Sequence, residues 1–288
     1  MAYTIICNSS TDLTQEMATI YSLKVVPLKY NIKDETFVNN LDHREMSIQN
    51  FYQKLREGTV ATTSQINVAE YEKAILEEFD KGKDVLILSF SSALSGSYNA
   101  ARIAIENLKE NKNKVYLVDT KSASLGEGLL VYLAAAQKQK GKSIEEVYEY
   151  VNNLIPHLAH WFTVDDLMFL RRGGRLSGAG AILGTVLSIK PILHIDNEGR
   201  LIPRYKAIGR KRSLHRLVSI LDETIDPSIS KSVFISHGDD HHSALLVKEK
   251  IEALNRGLNV ELINFIGPVI GAHSGPGTVA VFFTAKQR

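Results

Sequence analysis

A chain of 288 residues is long enough to bury a substantial core and to divide into two domains. Its 34 basic and 32 acidic residues leave a net charge of only +2, which excludes the broad basic field that nucleic acid or an anionic membrane calls for. The lone cysteine, Cys7, excludes an intrachain disulfide, and with no signal-peptide pattern and no apolar run of membrane-spanning length the expectation is a cytoplasmic protein.

Short β-rich runs alternate with helical patterns along the first half. Ile5–Cys7 reads as a strand, Asp12 as the cap of a short helix reaching Tyr21, and Val25–Ile32 as a second extended run. Across Arg44–Gly58, Ile48, Phe51, Tyr52 and Leu55 share one helical face, and Gly58 suits the position after the helix. Asn67 with Glu70 resembles a capping box. Val85–Phe90 and Val115–Asp119 are apolar strands of the kind buried in a parallel sheet. Between and after them, Tyr98–Leu108 and Gly128–Gln139 are helical, the second apolar around most of its circumference, and Ser143-x-x-Glu146 caps a helix that ends near Pro156.

The second half opens with Trp161–Val164. Pro191–Ile195 and Arg200–Ile208 flank Asp196-Asn197-Glu198-Gly199, a hairpin-like turn. Ser213–Ile225 carries one apolar face; Val233–His237, the helix His242–Asn255 and Val260–Phe265 form a βαβ-like unit, and Val279–Thr284 is a last strand. The pattern predicts an α/β protein with a parallel sheet in residues 1–158 and a mixed α/β domain in residues 159–288.

In such folds ligands gather beyond the carboxyl ends of strands. Here those segments are rich in small hydroxyl residues and glycine: Asn8–Asp12, Ser91–Ser97, Thr120–Ser124 and Gly267–Gly277, with the polar turn Thr62–Gln65 before a helix. Singly, each is what caps and turns require; together they describe a pocket of hydroxyl and N–H donors with few charges, suited to a carboxylate or phosphate. His273 sits in Gly271–Gly277, a loop too glycine-rich to serve mainly for packing. Phe162–Leu193 joins the basic turn Arg171-Arg172-Gly173-Gly174-Arg175, a handle for an anion, to small and apolar residues in which Ile182, Leu183, Val186 and Leu187 line a pocket or fill core.

Other chemistries fail on the residues. Gly141-Lys142-Ser143 lacks the first glycine of a phosphate-binding loop and follows a helix; Gly178-x-Gly180 is followed by Leu183 where a dinucleotide site needs glycine; no nucleophile elbow is present. His237–His242 has metal-binding residue types without ligand spacing and reads as a polar turn and helix cap, and Asp165-Asp166 diverge as sequence neighbours do.

Six ordered segments resemble the DegV family: Ser9–Leu13, Thr63-Ser64-Gln65, Ser91–Tyr98, Asp119–Gly128, Thr163–Leu193 and Gly267–Phe282. The chain departs from that pattern at Asn8, where the family usually has Asp, and at Ile66, where Pro is common. The resemblance implies a two-domain α/β fold holding one long-chain fatty acid between the domains, as in the fatty-acid-binding subunit of bacterial fatty acid kinase. It implies that Thr63, Ser95 and His273 meet the carboxylate, with Ser92 and the Gly96 backbone beside them. Arg175 first, then Arg204 and Arg210, are the implied residues for docking an ATP-dependent kinase or meeting the acyl-phosphate carried toward phospholipid synthesis. No metal, other cofactor, nucleic acid or membrane insertion is implied. Two alternatives remain open at this point: a stand-alone acyl hydrolase or acyltransferase using Ser95 and His273, and a lipid-responsive regulatory protein.

Overall fold

The computed structural model describes residues 2–177 and 188–288. Gly178, Gly180, Ile182, Leu183, Val186 and Leu187 lie outside the described residues.

The first half runs β1 (Tyr3–Asn8), α1 (Gln15–Ile20), β2 (Lys24–Val26), β3 (Lys29–Ile32), β4 (Glu35–Val38), α2 (Ile48–Arg56), β5 (Ala61–Ser64), α3 (Val68–Phe79), β6 (Asp84–Ser89), α4 (Ser97–Asn107), β7 (Val115–Asp119), α5 (Leu125–Gln139) and α6 (Ile144–Leu154). The second runs β8 (Leu158–Thr163), α7 (Met168–Arg172), β9 (Ile189–Ile195), β10 (Leu201–Ile208), α8 (Arg210–Thr224), β11 (Ser232–His237), α9 (His241–Glu252), β12 (Asn259–Phe265), α10 (Pro268–Ser274) and β13 (Val279–Thr284).

The apolar strands β1 and β6 are buried along their length and form the centre of a four-stranded parallel sheet in the order β2-β1-β6-β7. A parallel sheet covered on both faces needs such continuous apolar runs. The apolar run of β7 predicts equal burial, but β7 is the sheet's edge and is mostly half-buried. The capping boxes at Asn67/Glu70 and Ser143/Glu146 form as the spacing predicts, and Ile48, Phe51, Tyr52 and Leu55 are the buried face of α2.

Three local expectations are corrected. Thr14, not Asp12, caps α1; its side chain accepts from the Met17 N–H, while Asp12 takes a left-handed conformation and turns inward. The extended run Val25–Ile32 divides at Pro27, which has no N–H to donate, so β2 joins the parallel sheet and β3 joins a separate antiparallel sheet, β4-β3-β5. Thr62–Gln65 is therefore not a simple turn, since Ala61–Ser64 is the strand that pairs with β3.

The second half forms a mixed six-stranded sheet in the order β10-β9-β8-β13-β11-β12, in which β11 and β12 are parallel and the other neighbours antiparallel. The β9–β10 hairpin closes on Asp196–Gly199 as expected, with Gly199 at φ +80, a conformation that suits glycine. Alternation along the strands splits their side chains between two cores. Val233, Ile235, Val281 and Phe283 pack in a cluster with the α8 and α9 residues Leu217, Leu221 and Val247, whereas Phe162, Phe234, Ala280 and Phe282 join the core of the first half. Helix α5 contacts strands of both large sheets. Its apolar circumference, legible in the sequence, is what a helix between two sheets requires.

Candidate functional site

A cavity of about 380 Å³ is walled by residues from both halves of the chain. Leu28, Phe90 and Leu94 come from the first half; Phe162, Leu170, Ile266, Val269 and Ala280 come from the second. All of these apolar side chains are buried. Thr63, Ser64, Gln65, Ser95, Arg175 and His273 also line the cavity, and each is half-buried or exposed. The wall is therefore largely apolar, with polar residues toward solvent and a few buried ones, among them His160 and Ser236, within it.

Thr63 is on β5 and His273 on α10, two elements that pack together. Thr63 Oγ1 and His273 Nε2 lie 2.8 Å apart. The expectation of a loop around His273 is corrected: Pro268 opens a short helix, and Gly271 lies so close to Tyr52 that a Cβ there would fall 2.7 Å from the phenol oxygen. Glycine serves close packing here. Burial, then the neighbouring Arg175 charge, pushes His273 down to about 4, so the ring is neutral at pH 7. With the proton on Nε2 the imidazole donates to Thr63, and the Thr63 proton is left for a ligand. His273 Nδ1 is buried without a partner among the described residues, and a Cβ on Gly173 would lie 2.1 Å from it.

Ser95 precedes α4. Its Oγ accepts the Ser97 N–H at 3.2 Å and lies 2.9 Å from Ser97 Oγ, which itself accepts the Ile66 N–H. With Ser97 donating across that contact, Ser95 keeps its own proton for the cavity. Gly96 is beside it, and a Cβ there would sit 1.8 Å from Gln65 Oε1. Thr63, Ser95, Gly96 and His273 thus line one cavity.

Ser92 is not. It is exposed and its hydroxyl donates to Asp119 Oδ2 at 2.5 Å, because the start of the Ser91–Ser97 turn leans on the end of β7. Arg175, expected on a docking face, lines the cavity; its guanidinium donates to the carbonyls of Leu94 and Gly173 at 3.2 and 2.6 Å. Arg204 and Arg210 do not line it. Arg204 Nε donates to His194 Nε2 at 2.8 Å, and Arg210 pairs with Asp240 at 2.6 Å and faces Asp165 at 3.6 Å.

Sequence reasoning missed the carboxyls beneath the site. Asp12 Oδ1 accepts the Gly267 N–H at 3.0 Å and Oδ2 accepts the Ser124 hydroxyl at 2.5 Å, so one carboxyl ties the end of β1 to α5 and α10. Burial pushes Asp12 up to about 7, against the pull of those two hydrogen bonds. Glu127, buried beside it, is raised well above the usual carboxyl range for the same reason and accepts from Ser10. The Ser9–Asp12 segment was legible as polar, but nothing in a lone sequence says that it points inward. Among the described residues no group of three or more His, Cys, Asp or Glu side chains is placed to hold a metal ion, and no helix is long and apolar enough to cross a membrane.

A family profile described as "Uncharacterised protein, DegV family" matches residues 2–286. A DegV domain-containing protein of Clostridium perfringens is 41% identical over 288 residues, covering 99% of this chain and 98% of that protein. Among solved structures, a DegV family protein of Thermus thermophilus described as binding fatty acid superposes with a TM-score of 0.87 at 30% identity, covering 99% of this chain and 100% of that one. A fatty-acid-binding DegV protein of Bacillus subtilis gives 0.84 at 28% identity, covering 99% and 100%.

Proposed function

Because this chain belongs to the DegV family, and because its cavity is largely apolar and is lined by the hydroxyls of Thr63 and Ser95 and by a neutral His273, we propose that it binds one long-chain fatty acid with the carboxylate at Thr63, Ser95 and His273. The observation that carries this is that those three residues, from separate elements, line a single cavity. A volume of about 380 Å³ falls in the roughly 300–1,000 Å³ range of small-molecule sites. Each methylene removed from water contributes about 0.8 kcal/mol, so ten of them contribute about 8 kcal/mol before the cost of association. The head group then needs only to be satisfied, since a buried carboxylate without hydrogen bonds is expensive. Fatty acid binding by the Thermus and Bacillus proteins supports the same reading.

The protein is a carrier in this proposal. It presents the carboxylate to an ATP-dependent fatty acid kinase and carries the acyl-phosphate toward phospholipid synthesis, in the cytoplasm. The two lobes are residues 1–158 and 159–288, with the ligand between them. Arg175, the cation of the cavity lining, meets the growing negative charge of the phosphorylated head, and Arg204 and Arg210 belong to the surface offered to the kinase. A hydrolase reading loses ground on geometry: His273 bonds to Thr63 rather than Ser95, and no carboxylate among the described residues orients its Nδ1. Native mass spectrometry of the purified protein tests the proposal. A co-purified fatty acid, or stoichiometric uptake of added oleate or palmitate, is expected; failure of both defeats it.

A further inference from the structure

The inner wall of the cavity is not uniformly apolar. His160 on β8 lines it, is only 5% exposed, and has an Nδ1 that meets no hydrogen-bond partner among the described residues. The ring lies against Phe162 and Phe282, with centroids 5.6 and 4.5 Å away, so its surroundings there are hydrocarbon. Burial and the nearby Arg288 and His194 charges hold its pKa well below the usual imidazole value, so it is neutral and offers one N–H and one lone pair.

Ser236 and Ser124 line the same cavity, their hydroxyl oxygens 3.1 Å apart. Ser124 has a single proton, and Asp12 Oδ2 lies 2.5 Å from it. When Asp12 takes that proton, Ser236 receives none from Ser124. When Asp12 is protonated, Ser124 donates to Ser236, which keeps its own proton for the cavity. Ser236 pairs with Ala280 and Ala280 with Phe162 across β11, β13 and β8, and His160 is two residues from Phe162, so Ser236 and His160 share one face of the sheet. Neither is hydrogen-bonded to Thr63, Ser95 or His273.

A purely hydrocarbon tail leaves His160 Nδ1 without a partner among the described residues and gives Ser236 no bond beyond the one from Ser124, and unmet polar groups are costly at buried positions. We infer that Ser236 and His160 form a second hydrogen-bonding station that selects acyl chains carrying a hydroxyl group along the tail. A hydroxyl is the matching function because it both donates and accepts, and so suits either imidazole tautomer and either state of Ser236. A site built to bond a ligand hydroxyl discriminates strongly against the analogue lacking it. This inference rests on the fatty-acid reading and adds the class of acid.

The test is displacement of a fluorescent fatty acid from the delipidated full chain by stearic acid and by a series of hydroxystearic acids differing in hydroxyl position. At least one isomer is expected to bind about fivefold or more tighter than stearate, the worth of one buried hydrogen bond. Ser236→Ala and His160→Phe should each lower that isomer's affinity by about fivefold while leaving stearate within about twofold. Ser236→Ala removes one oxygen, and so keeps the test decisive if His160→Phe does not fold. Weaker binding of every isomer than of stearate, or equal losses for both acids in the variants, overturns the inference and leaves the fatty-acid reading standing. Binding of neither acid to the wild type overturns the fatty-acid reading and this inference with it.

Discussion

Thr63 and His273 are 210 residues apart in sequence and 2.8 Å apart in space. That pair joins the small β4-β3-β5 sheet to α10, and both residues line the cavity. Thr63→Val keeps the shape of the side chain and removes its hydroxyl. It leaves His273 Nε2 without its partner, so a stability loss of about 1–3 kcal/mol is expected, read by denaturant titration. Fatty acid affinity should fall about tenfold, as one bond to a charged group is lost. Unchanged affinity would remove Thr63 from the head site.

Gly173 and Gly174 should respond differently to alanine. Gly173 has ordinary helical torsions, but its Cβ would meet His273 Nδ1 at 2.1 Å, so the imidazole must move away from Thr63. Gly174 has open space around its Cβ and a φ of +69, so alanine there strains only the backbone. Gly173→Ala is expected to lower fatty acid affinity, and Gly174→Ala to cost about 1 kcal/mol of stability with affinity kept. Calorimetric titration of both variants with oleate checks the contrast.

How much of this was legible in the chain depends on whether local or distant residues decide it. The capping boxes, the amphipathic face of α2 and the β9–β10 hairpin are set by neighbours in sequence, and they form as read. The roles of Asp12 and Arg175 depend on residues far away. Asp12 has the residue type of a helix cap, but Gly267 and Ser124 claim its carboxyl. Arg175 belongs to a glycine turn that reads as a surface handle, yet α7 folds it back to Leu94 and the cavity. The three-stranded sheet was hidden because β4 and β5 are short, and because Thr62 and Thr63 are as suitable for a turn as for a strand.

Asp12 gives a pH prediction. Its pKa is raised to about 7 in the fold, from an ordinary value of 3.8, so the folded state holds this proton more tightly than the unfolded chain does. The contribution is fully present below about pH 4 and is lost as pH rises toward about 7, amounting to at most about 4 kcal/mol. Asn at this position can accept from Gly267 and donate to Ser124. Asp12→Asn should therefore flatten this part of the stability profile and gain on the wild type as pH rises from 4 to 8. Parallel profiles for the two proteins, measured by urea unfolding at several pH values, would contradict the assignment.

Arg175→Ala separates charge from grip. Arg175 is the second cause of the low His273 pKa, after burial. Its removal should raise the titration midpoint above about 4 while burial keeps it below 6.5, as followed by NMR of the imidazole protons. The acyl chain should stay bound, held by the apolar wall, and phosphorylation by the proposed kinase partner should be impaired. An emptied cavity in this variant would show that Arg175 is part of the carboxylate grip.

The most direct test of the account is a crystal structure of the protein with bound oleate. The predicted result has a carboxylate oxygen within about 3.2 Å of Thr63 Oγ1 or Ser95 Oγ and the chain running inward past Phe90 and Phe162. A carboxylate at Ser236 and His160 with the tail toward Thr63, or an acyl chain lying elsewhere on the molecule, would contradict it.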